Sequence, residues 1–79
     1  SLIAEEIQLN LIMNDVFLKK YDKALQMIIN PDYMIRNENA GELKHFVRAS
    51  YFMDVKDQEK FEMEKQMITS KELLDYLEY

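Results

Sequence analysis

The sequence contains no cysteine and no tryptophan, and its 79 residues include one glycine, one proline and one histidine. Without cysteine the chain can form no disulfide, no thiolate nucleophile and no cysteine-ligated zinc site. A single glycine, Gly41, excludes the glycine-rich loop that cradles phosphates. His45 has no serine paired with it in the sequence, so a nucleophilic triad has no support. We therefore expect a protein that is not an enzyme.

Positive charge is also scarce, because 15 acidic residues outweigh 10 Lys and Arg and leave a formal charge of −5. Nucleic acids and anionic membranes are bound mainly by Lys and Arg, so neither is an expected partner. A nucleic-acid role would require a local basic patch, in which Lys19, Lys20, Lys23 and Lys44 converge.

Signals for export or membrane insertion are missing from the sequence. The chain begins without a basic, apolar leader, and no run of about 20 apolar residues is present. Together with the absence of cysteine, this favours a cytoplasmic protein. The first residue is not methionine and the last turn lacks a polar stop, so we expect a piece of a longer chain.

Apolar residues, by contrast, are abundant at 48% of the sequence, which excludes a disordered chain. A domain of this size buries only about 60% of its unfolded surface, so its core is thin. The sequence thus predicts a single domain over residues 1–79.

The longest uninterrupted segment is 2–29, which has no glycine or proline and precedes Pro31. Its helical wheel shows an apolar arc wider than 180°, and Asn10 and Asn14 lie inside that arc. We predict one long helix that forms the spine of the core, or two helices with a break at Asn14–Asp15. The centre of the arc comprises Ile3, Ile7, Leu11, Leu18, Tyr21, Leu25 and Ile28.

Both the width of this arc and the length of the segment predict a partner. A surface helix needs an apolar stripe only somewhat wider than 100°. A straight helix of this length spans about 42 Å, whereas a globule of this size is about 30 Å across. We expect Leu18 and Leu25 to be buried, and the interface to comprise Ile3, Ile7, Asn10, Asn14, Phe17 and Tyr21.

Three shorter helices are predicted over 40–53, 59–68 and 70–78. Asn39 and Glu42 resemble a capping box at the first of them, and Thr69 and Glu72 form one before the last. If the helix over 40–53 continued, Asp54 and Asp57 would lie on its apolar face. A turn is therefore expected within 54–59. The resulting fold is an all-α bundle of three or four helices with a long N-terminal helix.

Glu42 and His45 form the one motif with metal-binding spacing, since residues three apart share a helix face. Carboxylate bundles that bind two irons use two such motifs with two further Glu, so only a dimer of this chain would supply the set. A cap role for Glu42 and a packed or solvated His45 explain the pair without a metal. We therefore expect no metal and no cofactor, and keep the metal-binding bundle as an alternative.

Residues 17–25, which include Tyr21, Ala24 and Leu25, resemble the turn and second helix of a tetratricopeptide repeat. That resemblance implies peptide or protein binding in a concave groove. A tetratricopeptide-like, peptide-binding fragment is thus a second alternative.

The function predicted from these features is a non-enzymatic protein–protein interaction module, of regulatory, adaptor or assembly type. Its partner is a second copy, as in a homodimer, or the rest of a larger helical protein.

Overall fold

Five helices make up the described part of the chain, which in this computed structural model covers residues 2–29 and 40–78, with side chains from 6–29 and 41–78. No strand occurs in these ranges, so the predicted all-α bundle is confirmed. In chain order the helices are α1 (Leu2–Phe17), α2 (Tyr21–Ile29), α3 (Ala40–Asp54), α4 (Gln58–Lys65) and α5 (Lys71–Leu77).

The turn between α1 and α2 is built on Lys19, whose φ of 62° is left-handed. The Lys20 N–H donates to the Asp15 carbonyl at 2.7 Å, and the Lys19 N–H donates to the Val16 carbonyl at 3.0 Å. These two bonds form a Schellman motif, which ends a helix by satisfying its last carbonyls. A lysine here occupies the position that glycine usually takes.

The prediction of a single helix over 2–29 is therefore wrong. The alternative, a break at Asn14–Asp15, lies one helical turn before the observed turn at 18–20. A straight helix over this segment would span about 42 Å, which exceeds the longest dimension of the chain, 37 Å. The turn lets α2 fold back onto α1. The bundle consequently has five helices in its described ranges rather than three or four.

The turn between α3 and α4 repeats this construction at Lys56, whose φ is also 62°. The Asp57 N–H donates to the Phe52 carbonyl at 2.9 Å, and the Lys56 N–H donates to the Met53 carbonyl at 3.2 Å. Asp57 then caps α4, because its side chain accepts the Lys60 N–H at 3.2 Å. The turn falls within 54–59, as the sequence predicts.

Replacing Lys56 with glycine is expected to raise the free energy of unfolding by about 0.5–1 kcal/mol. Glycine removes the steric cost of the left-handed backbone. Part of that gain is offset because glycine loses more conformational entropy on folding than lysine does. Chemical denaturation measures the change. Lys56→Ala is the matched control, since alanine also removes the long side chain but keeps the Cβ. A gain in Lys56→Ala equal to that in Lys56→Gly would contradict the backbone explanation.

The centre of the core is α3, not α1 as the sequence analysis expected. Helix α3 packs against α2, α4 and α5, and it supplies four buried apolar side chains. These are Leu43, Phe46, Val47 and Ala49, which meet Ile12, Ala24, Phe61, Ile68, Leu73 and Leu77 in one cluster.

Helix α1 is rotated relative to the expected orientation. Its buried side chains are Ile12, Asp15 and Val16, with Leu9 and Met13 partly buried. Leu18 is exposed rather than buried, and Asn14 is exposed rather than inside the core. Leu25 is half-buried. The wheel drawn over 2–29 failed because it merged the phases of two helices separated by a non-helical turn.

Candidate functional site

The outer face of α1 is a continuous exposed surface of six side chains. Ile7 is 55% exposed, Leu11 48%, Phe17 65% and Leu18 56%. Asn10 and Asn14 lie between them and are also exposed. The spacing of 7, 11, 14 and 18 places these residues along one side of the helix, over a length of about 17 Å.

This outer face carries no charge, although 32% of the chain is charged. Between Ile7 and Leu18 the one charged residue is Asp15, which is buried. Exposed apolar surface of this kind marks contact sites with other molecules more often than isolated exposed side chains do. The outer face of α1 is therefore the candidate site.

Four of the six interface residues predicted from the sequence lie on this face: Ile7, Asn10, Asn14 and Phe17. The side chain of Ile3 lies outside the described part of the chain. Tyr21 belongs to α2 and is half-buried, with its ring 5.5 Å from that of Tyr51 in an edge-on contact.

Leu11 and Leu18 also lie on this face but were not among the predicted interface residues, and Leu18 was expected to be buried. Leu11 lies four residues after Ile7, and Leu18 lies seven residues after Leu11. This heptad spacing was the signal that could have added both to the predicted interface.

An apolar groove borders the outer face where Phe17 meets α5. The Phe17 and Tyr76 rings are 6.2 Å apart, and the Tyr76 ring also lies 6.3 Å from that of Phe46. The groove has a volume of about 670 Å³ and includes Ser50 and Met53 of α3. It extends the apolar surface from α1 towards the core.

None of the known protein families, curated proteins and solved structures with which the chain was compared matches it. Within the described residues, no helix has both the length and the apolar character needed to cross a membrane. The function must therefore be inferred from the surfaces of the chain.

Glu42, the first residue of the predicted metal motif, caps the start of α5. Its carboxylate accepts hydrogen bonds from the Thr69 N–H, from the Thr69 hydroxyl at 2.7 Å and from the Ser70 N–H at 3.0 Å. These bonds lower the pKa of Glu42, with the Thr69 hydroxyl as the largest cause. Asn39, the expected partner of Glu42 in a capping box, lies outside the described residues.

The N-cap of α5 is Ser70, one residue after the predicted Thr69. Its hydroxyl accepts the Leu73 N–H at 3.4 Å. In a capping box the acidic residue of the same helix accepts the N-cap N–H. Here Glu42 does so from α3, 28 residues away.

His45, the other residue of the motif, is joined to α4. Its Nδ1 lies 2.7 Å from Oε2 of Glu64, and both side chains are partly buried. Glu42 and His45 therefore each contact a different element. No group of three His, Asp or Glu side chains that could hold a metal ion occurs in the part of the chain that the structure describes.

The contribution of Glu42 to stability is expected to depend on pH. Because its pKa is lower in the folded than in the unfolded chain, the contribution is complete above the unfolded value, about 4.3, and is lost as the pH falls from there through the folded pKa. Thermal unfolding of the parent and of Glu42→Gln should differ at pH 7 and converge as the pH falls below the lowered pKa of Glu42 in the folded chain. A difference that persists undiminished in acid would contradict this assignment.

Proposed function

We propose that this chain is a protein–protein interaction module that self-associates through the outer face of α1. The observation that carries the proposal is an uncharged, largely apolar face three turns long in a chain that is otherwise rich in charge. Burying Ile7, Leu11, Phe17 and Leu18 would remove apolar surface from water, which is the main driving force of association.

The chemistry of the outer face favours a second copy as the partner. In a two-fold symmetric dimer the same face packs against itself, so a charged residue near the axis would meet the same charge in the other copy. The face avoids that repulsion despite the net charge of −5. The amides of Asn10 and Asn14 each hold donors and an acceptor, so they can pair with their own kind across a two-fold axis.

The size of the face predicts weak, reversible association. A stable interface buries about 800 Å² on each partner, and one helix side about 17 Å long provides less than that. We therefore expect a monomer at low concentration and a dimer at high concentration.

Leu11→Lys tests the proposal, because a lysine in each copy would place like charges in the contact. Sedimentation velocity over a concentration series is expected to show association of the parent and a monomeric Leu11→Lys variant. Leu11 is 48% exposed, so the substitution should leave the helical circular dichroism unchanged.

Met63→Lys is the matched control, since Met63 is a comparably exposed apolar residue on α4. It should associate as the parent does. A parent that stays monomeric at millimolar concentration, or a Met63→Lys variant that loses association together with Leu11→Lys, would overturn the proposal.

A further inference from the structure

A second concave surface, of about 900 Å³, lies between α2 and α3 beside the Lys19 turn. We call it the basic groove. The side chains that define its chemistry are Lys20, Lys23, Leu25, Val47, Arg48 and Tyr51.

Positive charge is concentrated in this groove. Four of the ten Lys and Arg of the chain line it, whereas Asp22 is the one acidic residue that does. Lys19 is held by Asp54, with Nζ and Oδ1 3.0 Å apart, and this contact raises the pKa of Lys19. Lys44, which a converging basic patch would have included, does not line the groove.

The three remaining cations surround an apolar floor. Within the described ranges, Lys20, Lys23 and Arg48 form no ion pair, as judged by distances of 4.0 Å or less. Beneath them Val47 is fully buried, and the exposed Tyr51 packs edge-on against Tyr21. An occupant of this groove would meet charge at the rim and aliphatic or aromatic carbon below.

We propose that the basic groove binds an acidic peptide segment that carries a large apolar side chain. Carboxylates of the segment pair with Lys20, Lys23 and Arg48, while its apolar side chain contacts the half-buried Leu25 and the exposed Tyr51 above the buried Val47. The charge complementarity is local, because the chain as a whole is negative. This site is separate from the outer face of α1 and does not depend on self-association.

A peptide is favoured over a nucleic acid by the floor and by the number of cations. Nucleic-acid affinity rises with each phosphate neutralised, and a groove with three unengaged cations in a chain of charge −5 neutralises few. A phosphodiester backbone also carries no apolar side chain to contact Leu25 and Tyr51 in the floor. A leucine or phenylalanine flanked by carboxylates would contact the apolar floor, while the carboxylates pair with the cations at the rim.

The test uses an equimolar pool of 12-residue peptides built from Glu, Asp, Leu and Phe, titrated into the ¹⁵N-labelled chain. The amide resonances of Lys23, Val47, Arg48 and Tyr51 should shift together. A pool with Gln and Asn in place of the acids, and one with Ser in place of the apolar residues, should each bind more weakly. A single-stranded thymidine oligonucleotide serves as the polyanion without apolar side chains.

Arg48→Glu should weaken binding of the acidic pool about tenfold, since it replaces attraction with repulsion at an exposed position. Lys71→Glu, the same charge reversal on α5, is the matched control and should weaken it far less. Leu11→Lys should bind as the parent does, which separates this site from the outer face of α1.

Three results would overturn the proposal. The first is no shift with the acidic pool, and the second is a shift that maps outside the groove or is equally weakened by Lys71→Glu. The third is tighter binding of the oligonucleotide than of the acidic pool at these same resonances, which would assign the groove to nucleic acid.

Discussion

Replacing Phe46 with alanine is expected to lower the free energy of unfolding by about 3–5 kcal/mol, the cost of removing a fully buried aromatic side chain and leaving a cavity. Phe46 is 2% exposed and lies in α3, the helix that packs against α2, α4 and α5. A domain of this length has a total stability of about 4–12 kcal/mol. The variant should therefore be largely unfolded by mild urea concentrations that leave the parent folded.

Phe17→Ala is the control for this variant, because Phe17 is 65% exposed and the chemical change is the same. Phe17→Ala should lower the free energy of unfolding far less than Phe46→Ala does, since substitutions on the surface usually change it by about 0.5 kcal/mol or less. Phe46→Leu should fall between the two because it fills part of the cavity. Similar unfolding midpoints for Phe46→Ala and Phe17→Ala would contradict the position of α3 at the centre of the core.

The second large effect concerns the orientation of α1. Ile12→Ala is expected to cost about 2–5 kcal/mol, as for a buried aliphatic residue, because Ile12 is fully buried. Leu11→Ala removes a side chain of equal size from the adjacent position, which is about half exposed, and should cost much less. Urea unfolding of both variants measures the difference. The slope of the free energy of unfolding against urea concentration should be the same in both.

The order of these two losses decides between two orientations of the same helix. The helical wheel over 2–29 placed Leu11 at the centre of the apolar arc, whereas the structure buries Ile12. If Leu11→Ala were the more destabilising variant, α1 would have to be rotated by about 100°, one residue, relative to the structure.

Local patterns predicted the starts of α4 and α5 to within one residue, at 59 and 70 rather than at 58 and 71. Asp57 and Ser70 are residue types that cap helices, and α4 and α5 begin directly after them. The end of α1 had no such mark. Its left-handed residue is Lys19 rather than glycine, so nothing in the local sequence distinguished this turn from a continuing helix.

The candidate site could be predicted only in part for a related reason. Exposure of the outer face depends on which side of α1 packs against α2, and that packing follows from a turn the sequence does not mark. The spacing of Ile7, Asn14 and Phe17 nevertheless identified most of the face. The cap that Glu42 provides for Ser70 joins residues 28 apart, which no local pattern reports.

The two lysine turns also bear on how fast this chain folds. Each joins two helices through a three-residue connection, α1 to α2 and α3 to α4, and each of those pairs packs together. Proteins dominated by contacts between neighbouring segments fold in microseconds to milliseconds. We expect the two hairpins to form early and α5 to dock last, because its contacts with α3 close the larger loop that Glu42 and Ser70 span.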